Sequence, residues 1–116
     1  MSQVIDLKDA LERVQDDKDL LFELFDIFTE DFVTKRKTIW AAFEKGDCAA
    51  FQMVAHGLKG ATGNISARNM HENSVELDRM GKGCDLSGAR PRLELLDKQF
   101  EELKVEIARL KKENGK

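Results

Sequence analysis

One proline, Pro91, stands in 116 residues, and the eight glycines gather at a few points instead of scattering. Long helices are therefore interrupted at few places. Only two cysteines are present, Cys48 and Cys84, with no CxxC pair and no even-spaced framework. That argues against a disulfide scaffold or a zinc site, and both are expected as reduced cysteines at or near the core. No apolar run approaches the 18 or more residues of a membrane span, and the opening MSQVIDLKDALERV lacks the basic start and apolar stretch of a signal peptide. A soluble, cytoplasmic protein with no membrane association is expected. A basic stripe is missing too. The first 46 residues hold 11 acidic against 7 basic side chains and the rest 11 against 12, for a net charge of −3. Nucleic-acid binding is disfavoured, because it needs clustered cations to neutralise phosphates.

What is present is helical pattern. Apolar residues make up 41% of the chain, an ordinary globular share, and the length suits one domain over residues 1–116. Asp6 opens a short segment with Leu7, Ala10, Leu11 and Val14 on one side. Asp16 and Asp17 offer an N-cap for a long helix carrying Leu20, Leu21, Leu24, Phe28, Phe32, Ile39 and Phe43. Gly46 ends it and Asp47 caps a third helix, from Cys48 to about Asn64. Ser66 can cap a fourth, with Met70, Ser74 and Leu77 along one side, stopping at the glycines of GKG (81–83). The last helix repeats Leu93, Leu96, Phe100, Leu103, Ile107 and Leu110 at alternating threes and fours. That stripe covers about two and a half heptads, too few for a sustained coiled coil and enough for a bundle helix. No strand pattern occurs. The fold class that follows is all-α, an antiparallel up-down-up-down four-helix bundle with a short extra N-terminal helix packed across one end. The polar tail KKENGK reads as a fraying, solvated end. The sequence does not decide between a free-standing protein and an excised domain, although the Met start and this tail lean toward the first.

The third helix carries the chemistry. Phe51, Val54, Leu58, Ala61 and Ile65 recur at threes and fours and define its expected core face. At 100° per residue, position 56 lies roughly 200° around from Leu58, so His56 faces away from the core. Lys59, Gly60 and Gly63 follow it on the same side, and Gln52 precedes it by one turn. Gly57, Gly60 and Gly63 each cost roughly 1 kcal/mol of helix propensity relative to alanine. That suggests a need for space around His56. Neutral imidazole is a nucleophile near physiological pH and can hold a phosphoryl group on nitrogen. Lys59, one turn away, can steady phosphate oxygens. No Gly-rich phosphate loop, GxxxxGK[ST] or kinase signature is present, so the chain is expected to receive and pass on a phosphoryl group without autonomous kinase activity. His71, with no lysine at i+3 and no glycine at i+4, is expected to be a surface or boundary histidine without a role. Neither histidine is preceded by Glu-x-x, which disfavours a di-iron bundle enzyme.

The stretch AHGLKGATGNI (55–65) resembles the motif of histidine-containing phosphotransfer (HPt) domains, in which the phosphorylated histidine is followed by x-Leu-Lys-Gly. DLKDALERV resembles that family's short opening helix, LLFELFDIFTEDF its long second helix, and GDCAAFQMVAH its entry into the histidine helix. The resemblance implies that His56 is the phosphoacceptor, Lys59 the phosphate-stabilising cation and Gly60 the small residue that leaves room. Gln52 and Gly63 would belong to the docking face, and Gly63 and Ala67 fall where the family has small residues. Ser66 departs from the glycine that many members carry, which should alter the turn more than the chemistry. The resemblance also implies partners: receiver domains of response regulators and a hybrid sensor histidine kinase. It implies no cofactor on this chain, with Mg²⁺ brought by the receiver, and a monomer is expected. The alternative function is a helical adaptor that binds a receiver or another signalling partner without carrying phosphate.

Overall fold

The computed structural model describes residues 3–115. It contains five helices and, among the described residues, no strand: α1 (Leu7–Arg13), α2 (Lys18–Lys45), α3 (Cys48–Asn64), α4 (Arg68–Lys82) and α5 (Ala89–Gly115). α3 packs against both α2 and α4, and α5 packs against both α4 and α2. The four long helices therefore close a ring, and their short connections make sequential neighbours antiparallel. The molecule is about 47 Å long, which the 28 residues of α2 nearly span at ~1.5 Å per residue. No helix among the described residues is long and apolar enough to cross a membrane.

Local chemistry sets the helix boundaries. The carboxylates of Asp6, Asp17 and Asp47 each accept from the backbone N–H three residues on, satisfying donors that the first turn leaves without partners. Gly46 closes α2 at φ +70°, a left-handed position that costs glycine nothing. Pro91 falls in the first turn of α5, where its missing N–H would have no intrahelical acceptor. Met1 and Lys116 lie outside the described residues; the rest of the expected fraying tail is helical to Gly115 and solvated over 112–114.

The turn from α3 to α4 differs from expectation. Ala67, not Ser66, occupies the N-cap of α4 and supplies no side-chain cap. Ser66 instead takes a left-handed φ of +56°, while its N–H and that of Ala67 donate back to the carbonyls of Gly63 and Thr62. That is the helix-terminating geometry in which glycine is usual. The serine hydroxyl donates to Asp9, and Arg68 bridges Asp6 and Asp9, so α1 is tied to this turn.

The core runs the length of the bundle. Phe25, Phe32, Phe51, Leu58, Leu77, Leu93 and Leu103 are among its fully buried side chains. Phe100 stacks obliquely on Phe32 at 4.3 Å between ring centroids. The buried face of α3 is Phe51, Ala55, Leu58, Thr62 and Ile65. Val54 and Ala61, expected inside, are half-buried. The helix has two neighbours, and its burial turns toward α4, where Ala55 and Thr62 are small enough to permit a close approach. Thr62 is tolerated there because its hydroxyl donates to the Leu58 carbonyl at 2.7 Å.

The cysteines also depart from expectation. They form a disulfide, with Cα atoms 5.3 Å apart and a separation of 36 positions in sequence. Cys48 is half-buried and Cys84 exposed, so neither is a core thiol. Cys48 is the first residue of α3, and Cys84 takes a left-handed φ of +51° in the turn that ends α4. Antiparallel packing of α3 on α4 brings those two points within bridging distance, a proximity that sequence spacing does not disclose.

Candidate functional site

His56 sits near the middle of α3 on the side away from the core, as the helical angle requires, with its side chain 61% exposed. Its Nδ1 lies 3.7 Å from Oδ2 of Asp78 on α4. Asp78 is the residue that sequence reasoning missed. Its side chain is only 4% exposed, yet it is an acidic group in the seam between two helices. It accepts from Nε2 of Gln52 at 2.8 Å and from Nζ of Lys59 at 3.0 Å, and Lys82 Nζ is 3.6 Å away. Burial alone would raise the Asp78 carboxyl. The hydrogen bonds from Gln52 and Lys59, with the charges of Lys59 and Lys82, outweigh it and hold the group below the ordinary carboxylate value. A signal for Asp78 did exist, since it falls four residues after Ser74 and three before Gly81, on the buried side of α4.

Gln52, His56 and Lys59 thus converge on one carboxylate. Gly60 lies one turn beyond His56 and opens to solvent, where an added Cβ would meet nothing within 4 Å. Gly63 is different, for a Cβ there would touch the His71 ring at 3.4 Å. His71 is half-buried, as a boundary histidine should be, and is anchored to α3. Its Nδ1 is 2.9 Å from the Lys59 carbonyl and 3.2 Å from the Thr62 hydroxyl. Gly81, near the end of α4, marks the tightest point of the seam: a Cβ there would lie 2.7 Å from Gln52 Cα. The two backbones meet beside the residue that holds Asp78.

Beyond Lys59 an open cleft continues past His56, Gly60, Gly63 and His71 toward Arg13 and Arg68. Its lining includes the cations Arg13, Lys59 and Arg68 and, among the described residues, no carboxylate. An exposed imidazole with one nitrogen 3.7 Å from a buried carboxylate and an ammonium one turn away can act as a nucleophile toward an anionic electrophile.

No family model and no curated protein sequence matches the chain. Two solved structures share its fold over nearly the whole length. Histidine-containing phosphotransfer protein B (HptB) from Pseudomonas aeruginosa PAO1 superposes with a TM-score of 0.86 at 21% sequence identity, over 95% of this chain and 96% of that one. The HPT domain of the Hpt sensor hybrid histidine kinase from Shewanella gives 0.79 at 15% identity, over 95% of each chain. The chain has the helical-bundle fold of these phosphotransfer proteins.

Proposed function

We propose that this chain is an HPt-type phosphoryl carrier of a two-component phosphorelay, working in the cytoplasm and exchanging a phosphoryl group between His56 and the aspartates of receiver domains. The observation that carries this reading is the exposed His56 whose Nδ1 faces the buried carboxylate that also holds Lys59. The shared fold and the His-x-Leu-Lys-Gly motif support it.

In this reading Nδ1 carries the proton and faces Asp78, leaving the Nε2 lone pair as the nucleophile. Attack on a receiver's aspartyl phosphate forms the N–P bond as the P–O bond to the aspartate breaks, and the carboxylate departs with that electron pair. The imidazole gains positive charge as the bond forms, and Asp78 steadies it through Nδ1. Lys59 is held by Asp78 one turn from His56, and a rotation of its side chain carries the ammonium to the phosphoryl oxygens. Gly60 leaves clearance for the receiver, which brings Mg²⁺ and the remaining machinery. The step exchanges one P–O bond for one N–P bond, and the same displacement run backwards returns the phosphoryl group to a receiver aspartate.

Mixing the chain with a phosphorylated receiver and Mg²⁺ tests this reading by intact mass. A gain of one phosphoryl group, labile to acid and durable in base, is expected on the wild type and absent from His56→Gln. No gain on the wild type would defeat it.

A further inference from the structure

The α3–α4 hairpin is closed at both ends. The turn over Ile65–Ala67 joins one end by backbone, and the Cys48–Cys84 disulfide joins the other. The sulfur end leads directly to the site. Cys48, Gln52 and His56 follow one another at four-residue steps, so they share one face of α3. On α4, Gly81 and Asp78 precede Cys84 by three and six residues. Within this frame the backbones touch at Gly81 and Gln52, and the Gln52 side chain donates to Asp78. The disulfide therefore ties down the end of the seam from which Gln52 reaches the carboxylate that holds Lys59 and faces His56.

We propose that the Cys48–Cys84 bond is a thiol–disulfide switch on the His56 site: when closed it keeps Gln52 and Asp78 in register, and reduction loosens that end and slows phosphoryl transfer. The transfer half of this proposal rests on the phosphoryl-carrier reading. Cys84 is an exposed residue in the turn after α4, which makes it the half of the bond that an incoming thiolate approaches. The thiolate attacks Sγ of Cys84, the S–S bond breaks, and Cys48 leaves as a thiolate at the positive end of α3. A second thiolate, from the same dithiol, then attacks the mixed disulfide and releases Cys84. Two electrons pass from the dithiol to the protein bond and the dithiol becomes a cyclic disulfide. A disulfide of the same class reverses the sequence. In a thiol-rich compartment, where structural disulfides are rare, an accessible bond of this kind follows the redox state of its surroundings.

The test compares the oxidised full chain, the same chain treated with dithiothreitol, and the Cys48→Ser/Cys84→Ser variant. Two readouts are taken on each: the rate of phosphoryl uptake from a phosphorylated receiver, and the NMR resonances of the Gln52 side-chain amide and the His56 ring. A several-fold slower uptake and displaced resonances are expected for the reduced chain and the double variant, with the variant indifferent to dithiothreitol. Equal rates with unmoved resonances would overturn the proposal, as would a variant that still responds to the dithiol. A reduced chain that unfolds also overturns it, since the bond would then be a staple for the whole fold. If no form takes up phosphate, the carrier reading fails by itself. The resonances then decide whether the bond controls the seam: displacement reproduced by the variant upholds it, and unmoved signals overturn it.

Discussion

Lys59 and Asp78 are 19 residues apart in sequence and joined by a 3.0 Å hydrogen-bonded ion pair across the α3–α4 seam. The pair changes what a lysine beside His56 does. Viewed from the sequence, Lys59 is an exposed charge whose loss should leave stability nearly untouched. In the structure its side chain is 32% exposed and neutralises a buried carboxylate. Lys59→Ala should therefore lower stability by about 1–2 kcal/mol, because a buried acceptor loses a charged donor. Uptake or phosphohistidine lifetime should fall in the same variant. Denaturant unfolding beside a transfer assay checks both, and an unchanged midpoint would mean that Gln52 and Lys82 suffice for Asp78.

The two histidines should separate cleanly. His56→Gln is expected to keep wild-type stability, since the ring is solvent-exposed, and to take up no phosphoryl group. His71→Gln should retain uptake while losing up to about 1 kcal/mol of stability, because its ring bonds the Lys59 carbonyl and the Thr62 hydroxyl. Thermal melts and intact mass on the same samples decide it, and uptake lost from His71→Gln alone would reverse the site assignment.

Asp78 gives a pH dependence whose sign is fixed by its lowered folded-state pKa. The unfolded chain binds this proton first as pH falls, so the carboxylate stabilises the fold fully above the unfolded value of about 3.9. Its contribution is lost as pH drops through the lower folded value. Unfolding curves between pH 6 and 3 should show the wild type losing more stability than Asp78→Asn. Parallel losses in both proteins would remove Asp78 from the account.

Two glycines should respond in opposite ways. Gly60→Ala meets open space and should stabilise α3 by up to about 1 kcal/mol. Gly60→Gln should also fold but accept phosphate poorly, because the side chain grows one turn from His56. Gly81→Ala must push its Cβ against the Gln52 backbone and should cost roughly 1–3 kcal/mol. Melting temperatures of the three variants, with transfer rates for the two at position 60, provide the comparison. An unfolded Gly60→Gln would show that the glycine serves packing.

Ser74 holds a buried hydroxyl without a hydrogen-bond partner in the structure. Ser74→Ala keeps nearly the same volume and removes that desolvated group, so a gain of about 1 kcal/mol is expected. A loss on calorimetry would reveal a partner, such as water, that the hydroxyl serves.

Local interactions were legible in the sequence because their causes are local. Asp17, Gly46 and Asp47 mark helix ends through caps that reach only a few residues, and the 3.6-residue period alone turns His56 outward. The apolar stripe of α5 likewise names its buried side without reference to any partner, from Leu93 to Leu110. Tertiary structure decided what depends on which helix lies alongside. It moved the buried arc of α3 from Val54 and Ala61 to Ala55 and Thr62, and turned Ser66 from a presumed cap into a left-handed turn residue bound to Asp9. It joined Cys48 to Cys84, and it placed Asp78 under His56, Lys59 and Gln52. A charge on an amphipathic helix reads as solvated until a neighbouring helix covers it, and the antiparallel seam of α3 and α4 is what covers Asp78.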